Sequence, residues 1–287
     1  MKNNIVLGAL LITASELSLL FTGMIIKQIS ADVPLEQIIF LRNFMGLILL
    51  LPWLFNKGIQ RLYTKRISMH ILRGIVGVSA MVCMFYAWGN LPLAQAALLK
   101  QTSPLFIPVI AYLWLQERIG KKTIIALFIG FIGVAMIINP EGTGNSQNRN
   151  FNFAVIIAII GAILAGVAKV SIRKMRDTET PGRIVFYFAL IGTIVSVIPA
   201  AFAWIQLSAI QWAYLAGIAL FSTIGQLLLS RAYGLAPAGQ LGPYTYTSVA
   251  FAALFGWLIW SEVLLINTWI GIAIIVLAGI LAVTDRR

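Results

Sequence analysis

Three charged side chains stand inside long apolar stretches, where a charge is hardest to place: Glu16, Arg42 and Lys100. In a bilayer each costs about 2.5–3.5 kcal/mol or more on insertion scales, so each needs a role. Glu16 is the carboxylate set well inside such a stretch, eleven residues after Ile5, which is about 16 Å along a helix and near the midplane of a crossing. There it can act as a protonatable coupling site or as counter-charge for a cationic substrate group. It can also be a fixed partner for Arg42 or Lys100 that holds helices together. Arg42 and Lys100 lie about 9–11 Å in from the ends of their stretches, too deep for easy snorkelling. Either both face a cavity, or one pairs with Glu16 while the other reaches the headgroups. If both face it, one carboxylate against two cations gives a positive cavity suited to a zwitterion or an anionic group. Lys169 lies nearer the end of its stretch and reads as a snorkeller.

Around these charges the polar candidates are Gln101, Gln226, Tyr244 and Tyr246. Gln95 and Gln240 each follow a short turn and read as helix-terminal residues. Pro104 and Pro108 remove two backbone donors from one apolar stretch, and Pro243 with Gly239 and Gly242 opens another. Irregular backbone at membrane depth is tolerated where it lines a wet cavity or is buried in protein, so these two stretches are the expected cavity walls. Trp88, Trp114, Trp204, Trp212 and Trp269 fall near stretch ends and read as interfacial anchors, and Gly161 with Ala165 as a site of close helix packing.

Enzyme chemistry finds little to work with. Ser79, in Gly77-Val-Ser-Ala80, has only His70 as a histidine base. Nine residues along one helix put them about 13.5 Å apart, beyond hydrogen-bond reach. Asp32, Asp177 and Asp285 lie at stretch ends, which excludes an intramembrane aspartyl pair, and no P-loop is present. One cysteine and one histidine rule out a disulfide framework and the usual metal sites, so neither cofactor nor metal is expected. A channel would spread polar residues along a pore, whereas these gather near the middle.

The elements that must position these residues are legible from composition. Of 287 residues, 60% are hydrophobic and 10% charged, with a mean hydropathy of +0.93. Soluble domains run to about 25% charged residues. Ten apolar stretches of spanning length are found, at roughly 5–27, 36–56, 69–89, 93–116, 121–139, 152–173, 184–205, 212–233, 238–260 and 267–284. They leave no room for an extramembrane domain, and the first is too long and too lightly flanked for a cleavable signal. With both termini in the cytoplasm, sixteen Lys and Arg residues fall inside, among them Arg61, Arg66 and Arg73, against Lys27 and Arg149 outside. The net charge of +12 is thus a topology signal and not a nucleic-acid footprint.

A polar linker, 141–151, divides the chain into 1–140 and 152–287. A shift of 145 positions aligns Ala87 with Ala232, Gly89 with Gly234, Pro92 with Pro237, Gln95 with Gln240 and Glu117 with Glu262, without a gap. Five crossings per half is an odd number, so the second half would enter with opposite orientation. The expected fold is all-α and integral to the membrane, with ten transmembrane helices in two inverted five-helix repeats. That architecture suits alternating access, with a site at the repeat interface.

Leu91-Pro-Leu-Ala-Gln-Ala-Ala-Leu-Leu99, Thr102-Ser-Pro-Leu-Phe106, Leu115-Gln-Glu-Arg118 and Gly130-Phe-Ile-Gly133, with their second-half echoes Gly225-Gln226 and Ser261-Glu262, resemble the EamA-type branch of the drug/metabolite transporter superfamily over essentially the whole chain. The resemblance implies a central cavity and transport of small metabolites. His70-Ile-Leu-Arg-Gly74 with Pro243-Tyr-Thr-Tyr246 is similar to S-adenosylmethionine uptake carriers of that family. The expectation is a secondary carrier in the cytoplasmic (inner) membrane, moving a zwitterionic or anionic metabolite by alternating access. Protons through Glu16, or exchange, would drive it. Its partners are the small-molecule substrate and membrane lipid.

Overall fold

Serines and glycines bring the long helices together. A computed structural model describes residues 5–116, 121–138, 149–235, 241, 244–245, 247–261 and 266–283. Its helices are α1 (Ile5–Ile29), α2 (Leu35–Lys57), α3 (Ile67–Asn90), α4 (Leu93–Lys100), α5 (Ser103–Leu115) and α6 (Lys121–Ile138), then α7 (Arg149–Met175), α8 (Pro181–Phe202), α9 (Ala209–Leu235), α10 (Thr247–Trp260) and α11 (Ile266–Val283). Helix α1 lies along α9, where Ser15 Oγ donates to the Gly225 carbonyl at 2.8 Å and Ser18 Oγ to that of Phe221 at 2.7 Å. A Cβ on Gly225 would stand 2.8 Å from Leu19 Cγ, so this contact needs a residue without one. Lipid tails are as apolar as leucine, and small residues that let backbones approach are how membrane helices associate.

Further pairings complete the bundle: α3 on α7, α2 on α8 and α6 on α11. Gly161 of α7 meets α3 so closely that a Cβ would lie 2.7 Å from that of Cys83. The 145-position shift carries the α1–α9 contact onto α7–α3. It also relates Gln116 and Ser261, the non-glycine residues with positive φ among those described, at 55° and 53°. Each ends the helix before it, α5 and α10, in the left-handed conformation. Large side chains such as Phe44, Ile48, Phe55, Ile194, Ile198 and Phe202 point outward along α2 and α8, where lipid is the only solvent that accepts them.

The expectation of ten spanning helices in two inverted sets of five is corrected here. Among the described residues six helices are long and apolar enough to cross a membrane: those covering Val6–Ile29, Leu35–Phe55, Ile67–Asn90, Phe153–Met175, Pro181–Phe202 and Ala209–Leu235. The stretch at 93–116 is two helices. Pro104 cannot donate to the Lys100 carbonyl and its ring crowds that oxygen, so the chain breaks between α4 and α5. Thr102 Oγ1 donates to the Leu99 carbonyl at 2.8 Å and satisfies the loosened backbone. Among the described residues of the stretch at 238–260, the helix is the 14 residues of α10. Helices α6 and α11 have 18 residues each, about 27 Å against a hydrocarbon thickness of about 30 Å, and α6 opens on two lysines.

The connections are built by local rules. Gly58, at φ 81°, ends α2 in a conformation that favours glycine, and a short 3-10 turn at Ile59–Leu62 follows. Thr180 caps α8 through its hydroxyl, with Pro181 in the first turn where no amide hydrogen is needed.

Candidate functional site

A cavity of about 110 Å³ opens inside the bundle, walled by α1, α2, α3, α4, α7, α8 and α9. Glu16, Arg42, Lys100 and Gln226 all line it. Glu16 is 1% exposed, and its Oε2 accepts from Lys100 Nζ at 2.6 Å. Lys100 reaches it because the break after α4 frees the last residue of that helix from the cylinder it would otherwise continue. Of the partners weighed for Glu16, then, Lys100 is the one in contact. Gln101 stands behind the pair. Its Nε2 donates to the Thr245 carbonyl at 2.6 Å and to Ser248 Oγ, and lies 3.5 Å from Glu16 Oε2.

Arg42 is buried in the opposite wall. Its Nε donates to Ser222 Oγ at 2.9 Å and its Nη1 to Asn43 Oδ1 at 2.6 Å, while its guanidinium lies 5.1 Å from the centre of the Phe188 ring. It therefore faces the cavity and does not reach for headgroups. Tyr244 is half-buried and packs against the apolar cluster around Ile107, Leu229 and Tyr233, away from the cavity lining. Pro104 and Pro108 sit half-buried in α5, Pro104 in its first turn and Pro108 inside it. Tyr246, Pro243, Gln240, Glu117 and Glu262 lie outside the described residues.

Two cations were misplaced from the sequence. Arg73, counted with the cytoplasmic loops, is 4% exposed on α3 and lines the cavity. Its guanidinium lies 4.4 Å from the centre of the Phe188 ring, and its Nη2 donates to Gln226 Oε1 at 3.0 Å. Lys169, read as a snorkeller, is 7% exposed and lines the same cavity. Of the two glycines that follow Arg73, Gly77 leaves the room its guanidinium occupies, whereas Gly74 admits Ile191 of α8. Trp88 also departs from its reading as an interfacial anchor, being 4% exposed and part of the cavity wall. Trp204, Trp212 and Trp269 do stand exposed.

Below the cavity the loops before α3 and before α8 are tied together. Glu179 Oε2 accepts from Arg183 Nη1 at 2.8 Å and lies 3.2 Å from His70 Nε2, and its Oε1 accepts from Thr64 Oγ1 at 2.7 Å. Burial pushes the Glu179 carboxyl up, but Arg183, Thr64 and His70 together outweigh it and hold it below its ordinary 4.5. His70 thus belongs to this tie, its ring 4.5 Å from that of Tyr187 and tilted to it by 31°, and not to the cavity lining.

A charged chamber between membrane helices is a place that can hold a solute. Comparison with known families agrees: the model of the EamA-like transporter family matches residues 6–139 and again 152–284. The chain belongs to that family. An EamA-like protein is a transporter and not an enzyme, and this one is a multi-pass membrane protein that moves small metabolites as a secondary carrier. Among its relatives is a pseudopaline exporter of Pseudomonas aeruginosa, 30% identical with 89% of this chain and 88% of that one covered. A riboflavin transporter of Brucella anthropi is 27% identical, with 86% and 87% covered. An S-adenosylmethionine uptake transporter of Rickettsia felis is 26% identical, with 88% and 83% covered. One solved crystal structure shares the fold, with a TM-score of 0.73 at 16% identity and 96% of both chains covered.

Proposed function

We propose that this EamA-like carrier moves a small zwitterionic or anionic metabolite across the cytoplasmic membrane by alternating access, with both termini in the cytoplasm. The observation that supports it is the juxtaposition of the Glu16–Lys100 pair with Arg42 around one cavity. A solute with an ammonium and a carboxylate finds a partner for each within it. Glu16 is the coupling residue. Either its protonation or an incoming ammonium releases Lys100, and the freed break between α4 and α5 lets the wall move. The halves 1–140 and 152–287, joined by 141–151, supply opposite walls. The excess of Lys and Arg in the loops assigned to the inside supports the orientation.

Direction is the second question. The similarity to an exporter leads, and the similarity to an S-adenosylmethionine uptake transporter favours import as the alternative. Metabolite profiling inside and outside cells that express the wild type, matched amounts of Glu16→Ala or an empty vector separates them. A compound depleted inside and enriched outside only with wild type gives export; accumulation inside gives uptake. If the wild type changes neither pool relative to the empty vector, the carrier reading fails.

A further inference from the structure

Arg73 is held in a seat built for it. Its guanidinium lies against Gly77, where a Cβ would run into Nη1 and stand 2.9 Å from Phe188 Cε2. Phe188 supports it from one side, together with Arg42, so two like charges share a single ring. Gln226 takes Nη2, but among the described residues Nε and Nη1 are buried without a partner. Across the cavity, Glu16 Oε2 is occupied by Lys100 while Oε1 is buried and has no partner among the described residues. An unpaired buried charge is costly, and a guanidinium with free donors fits planar oxyanions better than any other side chain does.

We propose that Arg73, with Arg42, forms the anion pole of the cavity, and that the cargo is an acidic zwitterion with one ammonium and at least two carboxylate-like groups. This rests on the carrier reading above and narrows it. The cavity lining holds four cations, Arg42, Arg73, Lys100 and Lys169, against Glu16 alone. A cationic cargo would add to that excess, and a neutral one or a simple amino acid would leave it standing. One anionic group reaches a free donor of Arg73, a second serves Arg42 or Lys169, and the ammonium goes to Glu16 Oε1. Met81, Met84, Phe85 and Trp88 provide apolar wall for the carbon skeleton.

The test uses the full-length protein in lipid nanodiscs, with thermal unfolding followed against L-lysine, L-alanine and L-glutamate. L-glutamate should raise the unfolding temperature at the lowest concentration, L-alanine only at higher ones, and L-lysine not at all. Arg73→Gln should weaken the glutamate response by at least about tenfold, the size of one lost charge-assisted hydrogen bond, while the ligand-free protein unfolds no earlier than wild type. Gly77→Ala keeps the charge but takes away its seat, and should lose the same preference. A residue that only props Phe188 would leave the order of the three solutes unchanged. An unchanged order in Arg73→Gln overturns the proposal, as does equal response to all three solutes or response to none. Proteoliposomes loaded with whole-cell metabolites then separate this failure from a wider one. Wild-type exchange restricted to cationic or neutral solutes leaves a carrier without the acidic cargo. No exchange of any solute removes the carrier reading as well.

Discussion

Lys100 Nζ and Glu16 Oε2 are 2.6 Å apart, joining the end of α4 to the middle of α1 inside the cavity. The pair is unequal: the Glu16 side chain is 1% exposed and that of Lys100 14%. Removing the lysine therefore leaves a buried carboxylate without its counter-charge, whereas removing the carboxylate leaves a flexible ammonium with some access to water. Lys100→Met should cost about 3 kcal/mol, at the low end for a broken buried pair. Glu16→Gln should cost less, and the double variant should recover most of the loss of Lys100→Met. Thermal unfolding of the four proteins checks this, and a purely additive double variant would show that the contact carries no coupling.

Transport gives the same pair a second test. If Glu16 couples movement to protons, Glu16→Gln abolishes accumulation driven by an imposed pH gradient while exchange of labelled for unlabelled solute persists. Proteoliposomes report both rates in one preparation. Gradient-driven transport that survives in Glu16→Gln removes the proton role and leaves Glu16 as an ammonium partner.

How far the sequence led to this site depends on the residue. Glu16, Arg42 and Lys100 were legible because an apolar neighbourhood makes a charge conspicuous, and all three line the cavity. The break that frees Lys100 was legible in Pro104, although it turns one expected crossing into the two shorter helices α4 and α5. Arg73 and Lys169 were not, because each sits four residues, about 6 Å, from the end of its expected stretch (69–89 and 152–173), where snorkelling and burial look alike in one dimension. Only the neighbouring helices decide which way such a side chain turns. Phe188 gave no signal at all, since its role depends on two arginines brought from α2 and α3.

Arg42 is held through both Nε and Nη1, by Ser222 and Asn43. A lysine cannot reproduce that fork. Arg42→Lys should therefore behave nearly as Arg42→Ala does, with affinity for anionic or zwitterionic solutes reduced about tenfold or more. Ser222→Ala should fall between these variants and wild type. Equal affinity in wild type and Arg42→Ala would place the anion site elsewhere.

Glu179 gives the pH dependence its sign. Its carboxyl is held below the ordinary 4.5 by Arg183, Thr64 and His70, despite burial. A carboxyl depressed in the folded state stabilises that state above its unfolded value, and the contribution disappears as pH falls through the lower, folded value. Wild type should therefore be more stable than Glu179→Gln at neutral pH. The gap should hold down to about pH 4.5, then close below it as Glu179 protonates and lets go of the loop before α3. Unfolding temperatures of both proteins across pH 3 to 8, a range of about five units around that value, measure the gap directly. A gap that instead persisted to the lowest pH of that range would show that the charge of Glu179 does not fasten this end of the bundle.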